Sequence, residues 1–429
     1  MKASIYTLGC RVNQYESDAI AEQLRRNGFE TVPFGEECDV AIINTCTVTA
    51  ESDRKSRQFI RRAKNVSPHC AVIVTGCFAQ SSPEAAAVLA DAVVGNGEKS
   101  KIADIAQTLC KQREKVIAVT DISRAVYDET PISKPKRART FIKIEDGCEN
   151  KCAYCIIPKA RGAVRSRPAD EVISEVERIA RAGCREIILT GIETASYGKD
   201  LKTFGLSELI KKVSEADGVE RIALGSLDPS CMTEEFVSAA SQVRELLPHF
   251  HLSVQSGCTR TLNRMRRKYT AEKVLENMER VRKYIPGVTF SADVIVGFPG
   301  ETDRDFAESV EFFKRAEFLH LHIFPYSARE GTEAAEMPDQ IPENVKKERA
   351  AYLAAVQKEI QDTFLDGYIE KHREEPVYVL CEKWENGVCN GHTEHFAECD
   401  IPSDCDLTGK ILPVTLTGRC DAVVKGKIL

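Results

Sequence analysis

Three cysteines stand close together in the middle of the chain, at spacings that suit metal chemistry. Cys148, Cys152 and Cys155 form a C-x3-C-x2-C pattern in the run DGCENKCAYCIIP, and no fourth cysteine follows nearby. A closed structural zinc site needs four ligands, and a disulfide needs its thiols in pairs. Three thiolates on one short loop suit a cubane iron–sulfur cluster whose open iron takes another ligand. The alternative is a loop that merely happens to be rich in cysteine.

Three more cysteines each follow a short apolar run near the N-terminus. They are Cys10 after Ser4–Leu8, Cys46 after Val40–Asn44, and Cys77 after Ala71–Thr75. These runs alternate with helix-patterned segments, which predicts a doubly wound parallel sheet over residues 1–125. Ligands bind at the carboxyl ends of strands in such a sheet, so we expect the three thiols to meet there. Alternatively each is a small buried hydrophobe, the interpretation we adopt for Cys38, Cys70 and Cys110.

Composition narrows the class of protein. The chain has 429 residues, of which 43% are hydrophobic and 29% charged, and this is ordinary for a globular protein of several domains. No apolar run is long enough to span a bilayer, and the N-terminus does not resemble a signal peptide, so we expect a cytoplasmic protein without membrane contact. In that compartment the 17 cysteines do not indicate a disulfide framework. The net charge of −6 means that any nucleic-acid binding depends on local basic patches.

A second βα series follows a basic, proline-containing linker at residues 126–139. Its strand candidates are Phe141–Ile144, Glu186–Leu189, Arg221–Leu224, His251–Val254, Ser291–Val296 and His320–Phe324. Six such units predict a partial (β/α) barrel, open on one side, over residues 140–371, ending in a long helix. The loop of Cys148 follows the first strand and therefore lies at the carboxyl face, where barrel active sites are found.

The remaining residues predict a small all-β module at 372–429, giving an α/β protein of three domains. Its five cysteines lack metal-ligand spacing, and its charge is acidic, with six Lys and Arg against ten Asp and Glu. The histidine pairs 249/251 and 320/322 each share a strand face, and we interpret them as polar residues that line the barrel or face solvent. Two basic clusters flank the expected active face, and we assign phosphate contacts to Arg161, Arg165, Arg266 and Arg267. Scattered surface arginines are the alternative.

The motifs together resemble the radical S-adenosylmethionine (SAM) methylthiotransferase family. The resemblance rests on GCENKCAYCIIPKARG and continues through TLGCRVNQYES, NTCTV, TGCFAQ, LTGIETASYG, HLSVQSGCTRTLNRMRRKYT, DVIVGFPGET and FPYSAREGT, so it covers essentially the whole chain. It implies a methylthiotransferase domain, a radical-SAM core and a C-terminal TRAM domain. It also implies that Cys148, Cys152 and Cys155 hold a SAM-binding 4Fe-4S cluster, and that Cys10, Cys46 and Cys77 hold a second cluster that carries the transferred sulfur.

The opening TLGCRVNQYES is most similar to the branch that acts on threonylcarbamoyladenosine in tRNA. The implied reaction inserts a methylthio group at carbon 2 of that nucleoside, at tRNA position 37, and needs an electron donor such as a flavodoxin or ferredoxin system. Alternatives are the same chemistry on isopentenyladenosine or on a ribosomal protein aspartate, and a non-catalytic, metal-stabilised RNA-binding protein. By resemblance, SAM contacts fall on Tyr154, Gly191, Ser226, Gln255 and Ile295. Glu193, Gly225 and Asp228 depart from the residues expected there, which leaves individual contacts open.

Overall fold

The N-terminal residues form a parallel sheet covered by helices on both faces. In the computed structural model, which describes residues 1–127, 130–135, 137–202 and 204–429, the strands are β1 Lys2–Thr7, β2 Glu30–Val32, β3 Val40–Thr45, β4 Ala71–Gly76, β5 Ala92–Val94 and β6 Val116–Ala118. The helices are α1 Arg11–Arg26, α2 Ala50–Val66, α3 Cys77–Ser81, α4 Pro83–Ala87 and α5 Ile102–Lys111, with a 3-10 turn at Asn96–Lys101. The strand order is β2-β1-β3-β4-β5-β6, and every pairing is parallel.

The central strands of this sheet are apolar on both faces. All residues of β3 and β4 are buried, as expected where helices cover both sides of parallel strands. Ile20 and Leu24 of α1 pack on one face together with α5. Ile60 of α2 and Phe78 of α3 pack on the other. The predicted doubly wound sheet is confirmed.

The described residues of the central part of the chain contain eight strands. They are β7 Arg139–Lys143, β8 Glu145–Asp146, β9 Arg165–Ser166, β10 Glu186–Thr190, β11 Arg221–Leu224, β12 His249–Gln255, β13 Thr289–Val296 and β14 His320–Pro325. The helices are α6 Ile157–Arg161, α7 Ala169–Arg181, α8 Leu206–Ser214, α9 Glu234–Ala240, α10 Thr259–Arg264, α11 Ala271–Tyr284, α12 Asp303–Ala316, α13 Glu333–Glu336 and α14 Glu343–Lys371, with 3-10 turns at Ile122–Arg124, Thr194–Ser196 and Pro229–Cys231. The short strands β8 and β9 form an antiparallel ribbon.

The other six strands form a partial barrel. The sheets β11-β10-β7 and β12-β13-β14 are joined by parallel bridges from Ile222 to Leu246 and from Leu227 to Leu252. The order is therefore β7-β10-β11-β12-β13-β14, and the barrel is open between β7 and β14. Helix α1 packs on the open side, where Tyr15 and Ala19 join the apolar core of the barrel. The sequence prediction of a six-stranded partial barrel is confirmed.

The C-terminal residues form a closed five-stranded barrel. Its strands are β15 Val377–Glu385, β16 Val388–Thr393, β17 Glu398–Pro402, β18 Ile411–Cys420 and β19 Val423–Ile428, in the order β15-β16-β17-β19-β18. Cys381, Cys389 and Cys399 are fully buried in its apolar core. Arg419 pairs with Asp362 and Asp366 and so fastens this barrel to α14.

Positions 128, 129 and 136 of the expected linker lie outside the described residues. Across the part of the chain that the structure describes, every helix is too short or too polar to cross a membrane.

Candidate active site

The loop of Cys148, Cys152 and Cys155 is held in a fixed shape by backbone contacts. Gly147 adopts φ +87°, and a Cβ at this position would lie 1.9 Å from the carbonyl oxygen of Ala163, so only glycine fits. The amide of Cys148 donates to the Gly162 carbonyl at 3.0 Å. The three cysteines line one cavity of about 590 Å³, so their thiols converge on a common space.

Burial makes these thiols hard to ionise on their own. It raises the pKa of Cys148 to about 11 and that of Cys155 to about 12. At neutral pH free thiols with these pKa values are protonated, and they become thiolates when a metal replaces the proton. The loop therefore suits a structural or cofactor metal better than a free nucleophilic cysteine.

The second set of cysteines meets at the carboxyl edge of three neighbouring strands. Cys10 precedes α1, Cys46 follows β3 and Cys77 begins α3, while β1, β3 and β4 are adjacent in the sheet. A Cβ at Gly9 would lie 3.3 Å from the sulfur of Cys46, which shows how closely the first two loops approach. Burial, with smaller contributions from the neighbouring Cys77 and Cys10, raises the pKa of Cys46 to about 12. The structure thus brings this trio together at the predicted edge.

Neither trio has the dimensions of a single-ion site. Among the described residues, the one group of three or more His, Cys, Asp or Glu ligand atoms that lie within 4.8 Å of one another is Cys258, Asp305 and Glu308. Tetrahedral zinc would draw its ligand atoms closer than that, because Zn–S bonds are about 2.3 Å long. Two trios of wider-spaced thiols fit a larger sulfide-bridged cluster, for which cysteine is the usual ligand.

A buried network of charges joins the two trios. Arg161, at the end of α6, donates to the sulfur of Cys77 at 3.3 Å and to Asn13 of α1 at 2.7 Å. It also pairs with Glu16 and lies 3.2 Å from Asp146, the residue before Gly147. Lys143 pairs with both carboxylates, at 2.9 and 2.8 Å. The network therefore fixes the first domain against the loop of Cys148, Cys152 and Cys155.

The electrostatics of this network are balanced by several cations. Burial alone would raise the pKa of Glu16, but Arg161, Lys143 and Lys99 hold it well below its usual range. Removing one partner from a buried charged group of this kind costs about 3–5 kcal/mol, because the remaining charge is left uncompensated. Sequence reasoning missed the network, since 145 positions separate Glu16 from Arg161 along the chain.

Two of the arginines assigned to RNA phosphate face the cysteines instead, and this corrects the prediction. The Arg161 side chain is 0% exposed and that of Arg267 is 5% exposed, so neither reaches a phosphate at the surface. Arg267 donates to the sulfur of Cys152 at 3.2 Å and to Asp228 at 2.8 Å. Arg165 is also turned inward, towards Asp146. Arg266 is 54% exposed and pairs with Glu333 at the surface.

The residues expected to contact SAM lie on the same side of the barrel as the cysteine loop. Tyr154 is within the loop and packs near Phe298 and Ile295. Gly191 directly follows β10, Ser226 lies just beyond β11, and Gln255 ends β12. A Cβ at Gly191 would lie 2.2 Å from Glu145, so the backbone approaches that carboxyl closely. Contact of these residues with SAM stays a prediction.

Two of the residues that depart from the family pattern, Glu193 and Asp228, contact each other. The Asp228 amide donates to Glu193 at 3.3 Å, and burial together with the Asp228 charge raises the pKa of Glu193 to about 7. Through Arg267, this carboxylate pair is linked to Cys152. Glu193 and Asp228 therefore lie beside the cysteine loop.

A polar cavity lies below this face, where the three domains meet. Its volume is about 1010 Å³. Helix α1 contributes Arg11, the barrel strands contribute His251 and His322, and the C-terminal barrel contributes His392 and Phe396. The interpretation of the histidine pairs as barrel-lining polar residues agrees with this placement.

Comparison with known proteins adds relatives of similar length. Residues 142–313 match the Radical SAM superfamily, and residues 2–95 match the Uncharacterized protein family UPF0004. The chain is 39% identical to the threonylcarbamoyladenosine tRNA methylthiotransferase MtaB of Bacillus subtilis (strain 168), over 96% of this chain and 93% of the relative. It is 32% identical to the tRNA-2-methylthio-N(6)-dimethylallyladenosine synthase of Moorella thermoacetica, over 99% and 98%.

Solved structures share the fold at low sequence identity. The radical S-adenosylmethionine methyltransferase TsrM from Kitasatospora setae, solved with cobalamin and a [4Fe-4S] cluster, aligns with a TM-score of 0.56 at 14% identity. That alignment covers 78% of this chain and 76% of the other. At this identity the likeness describes the fold alone.

Proposed function

The chain belongs to the radical SAM methylthiotransferase family, and from this premise we propose that it methylthiolates carbon 2 of threonylcarbamoyladenosine at tRNA position 37. The observation that carries the proposal is the 39% identity to the Bacillus subtilis threonylcarbamoyladenosine tRNA methylthiotransferase over nearly the full length of both chains. A relative named for dimethylallyladenosine is 32% identical over a similar span. The higher identity to the threonylcarbamoyladenosine enzyme favours threonylcarbamoyladenosine as the substrate.

Membership of the radical SAM superfamily implies SAM and a 4Fe-4S cluster. Cys148, Cys152 and Cys155 would hold that cluster, and their converging thiols fit it. When bound, cluster and SAM supply the one-electron chemistry that activates an unreactive ring carbon. Arg267 supports the loop by donating to the sulfur of Cys152, which stabilises negative charge on that ligand.

We assign a second 4Fe-4S cluster to Cys10, Cys46 and Cys77. The support is their convergence at one sheet edge and the donation from Arg161 to the sulfur of Cys77. The buried network from Arg161 to Asp146 then keeps this edge in a fixed position relative to the Cys148 loop. Holding two reactive centres in fixed geometry is the protein's main contribution to a reaction whose hard chemistry belongs to its cofactors.

The remaining parts of the proposal concern organisation and partners. We place the domain boundaries at 1–125, 126–139, 140–371 and 372–429, as the sequence predicts. The substrate is tRNA, the reductant a flavodoxin or ferredoxin system, and the compartment the cytoplasm. Among the four assigned arginines, the exposed Arg266 is the remaining candidate for a phosphate contact at the surface.

Anaerobic reconstitution and nucleoside mass spectrometry test this function. We expect about eight iron and eight sulfide per chain, as for two cubane clusters. With SAM and a reductant, the protein should convert threonylcarbamoyladenosine in tRNA to its 2-methylthio derivative. Conversion of isopentenyladenosine alone would refute the substrate. Zinc in place of iron, with no conversion of either RNA, would favour a non-catalytic RNA-binding protein.

A further inference from the structure

The cavity between the three domains has the size of a nucleoside site. Its volume of about 1010 Å³ lies at the upper end of the range for ligand pockets, about 300–1,000 Å³. Arg11 and Gln14 extend into it from α1, and His249, His251 and His322 line it from the barrel strands. A purine with an amino-acid substituent can therefore be enclosed between the helix and the barrel.

Arg11 contributes an uncommitted positive charge to this cavity. It is the first residue of α1 and directly follows Cys10. Its guanidinium lies within electrostatic range of Arg139 and Asp293. Within the described residues this guanidinium makes no hydrogen bond and no ion pair. A half-buried guanidinium with unmatched donors lacks the partner that an anionic ligand would supply.

The other charged groups of the cavity already have partners. Arg139 pairs with Glu382 at 2.5 Å, and Arg137 pairs with Asp18 at 2.7 Å. Asp293 lies 3.3 Å from His251. Burial lowers the pKa of His322 to about 4, so this ring is neutral at physiological pH. The free positive charge of the cavity is therefore concentrated at Arg11.

We propose that Arg11 binds the carboxylate of the amino-acid substituent on the substrate adenosine and so selects an acidic substituent over an apolar one. This inference rests on the proposed function. Arginine and carboxylate form bidentate pairs, which give geometric selectivity as well as affinity. Cys10 and Arg11 are neighbours, so their Cα atoms lie about 3.8 Å apart. The cysteine assigned to sulfur transfer and the residue that reads the substituent thus share one helix terminus.

An apolar substituent would leave this arginine unpaired in a closed site. Sites built to hydrogen-bond a substrate group reject analogues that lack it, because their own polar groups lose hydration without gaining a partner. Arg11 therefore accounts for discrimination against a dimethylallyl group without any steric block. The lost hydration of Arg11 weakens binding of the dimethylallyl substrate.

Three anticodon stem-loop RNAs test the proposal on the reconstituted holoenzyme. They carry threonylcarbamoyladenosine, its methyl ester, or dimethylallyladenosine at position 37, and their Kd values are measured anaerobically by fluorescence anisotropy. We expect the wild type to bind the acid about 10- to 100-fold more tightly than the ester, as for a hydrogen bond to a charged group. Arg11→Gln should abolish this ratio by weakening the acid alone, and Arg11→Lys should restore part of it.

The control is Arg25→Gln on the same helix. Arg25 is exposed and pairs with Glu22, about 21 Å along the helix from Arg11 at 1.5 Å per residue. It should keep the wild-type ratio. In turnover assays, Arg11→Gln should raise KM for the acid RNA, with kcat and iron content unchanged, because only substrate binding is affected.

The outcomes separate this inference from the function on which it rests. If the wild type methylthiolates the threonylcarbamoyl RNA but shows no preference for acid over ester, the role of Arg11 is refuted and the function stands. An unchanged ratio in Arg11→Gln, or a loss of SAM affinity instead, refutes it equally. If the enzyme modifies only the dimethylallyl RNA, both proposals fail. The comparison of acid and ester RNA uses the wild-type protein alone. The inference can therefore be refuted even if Arg11→Gln misfolds.

Discussion

At the scale of single residues, Arg266 and Arg267 show how neighbouring cations take different roles. The side chain of Arg266 is 54% exposed, whereas that of Arg267 is 5% exposed and donates to the sulfur of Cys152. We expect Arg266→Gln to weaken tRNA binding and to reduce the slope of log Kd against log salt by about 1, as for one lost phosphate contact. Arg267→Gln should leave that slope unchanged and lower the iron content of the reconstituted protein.

Salt titrations of tRNA affinity and iron analysis on the same two preparations measure these effects. Each variant serves as the control for the other, because both remove one positive charge from adjacent positions. A reduced salt slope in Arg267→Gln with full iron content would show that Arg267 contacts phosphate after all. An unchanged slope in Arg266→Gln would remove Arg266 from the RNA interface.

The convergence of each cysteine trio could be predicted from sequence, whereas the residues packed around the trios could not. The short spacing of Cys148, Cys152 and Cys155 predicts that they share one site. For Cys10, Cys46 and Cys77, the position directly after predicted strands predicts this. Arg161 appeared as one of many arginines in a basic run. Its role depends on Glu16 and Asn13, which only the docking of α1 against the barrel brings within reach.

At the scale of elements, the cysteine loop depends on one glycine. A Cβ at Gly147 would lie 1.9 Å from the Ala163 carbonyl oxygen, at φ +87°. Gly183 also has a positive φ, +98°, but a Cβ there would meet nothing within 4 Å. Substituting alanine at Gly147 introduces both a steric clash and backbone strain, whereas alanine at Gly183 introduces backbone strain alone.

We expect Gly147→Ala to prevent cluster binding at the loop, because the loop must move to relieve the clash. Gly183→Ala should cost only about 1–2 kcal/mol, the penalty of a left-handed conformation for an L-residue. Iron content and urea denaturation of both variants measure the difference. Full iron content in Gly147→Ala would show that the loop adapts, and a loss of iron in Gly183→Ala would show that backbone strain alone is sufficient.

Helix and strand periods predicted most elements, and the failures have physical causes. The start of the first helix at Arg11 carries no capping signal in the sequence, because the preceding Cys10 provides no side-chain cap. Without that signal, the sequence did not place Arg11 and Asn13 on a helix. Strands β16 and β17 carry a weak strand signal, since VCNGHT and ECDIP contain Asn, Gly, Asp and Pro, residues that disfavour strands. Closure of the barrel overrides that preference.

At the scale of the whole molecule, histidines gather where the barrel meets the C-terminal domain. The chain has eight histidines, and seven lie in this region: His249, His251, His320, His322, His372, His392 and His395. Thr289 of the partial barrel donates to the His395 carbonyl at 2.7 Å, and Phe396 stacks on His249. A one-dimensional pattern could not predict this cluster, since its members come from three separate stretches of the chain. The docked domains should therefore respond to acid.

His395 gives the sharpest test of that response. Burial, and then the neighbouring His372 and Lys371, lower its pKa from 6.5 to about 4. Between these two values the unfolded chain binds a proton that the native chain does not, so the free energy of unfolding must fall as the pH falls through this window. The loss attributable to His395 should reach about 2 kcal/mol at pH 5 and about 3 kcal/mol over the whole window, from 1.36 kcal/mol per unit of pKa.

Urea denaturation at about pH 7.5, 6 and 5 measures this linkage. His395→Gln removes the titrating group while keeping a side chain that can hydrogen-bond to the Tyr368 hydroxyl, which lies 3.1 Å from Nδ1 of His395. It should therefore flatten the pH dependence relative to the wild type. The exposed His69 is the matched control, and His69→Gln should keep the wild-type slope. Acid loss of iron would affect all three proteins alike, so equal slopes in His395→Gln and wild type would contradict the assignment of this histidine as the acid-sensitive group of the domain interface.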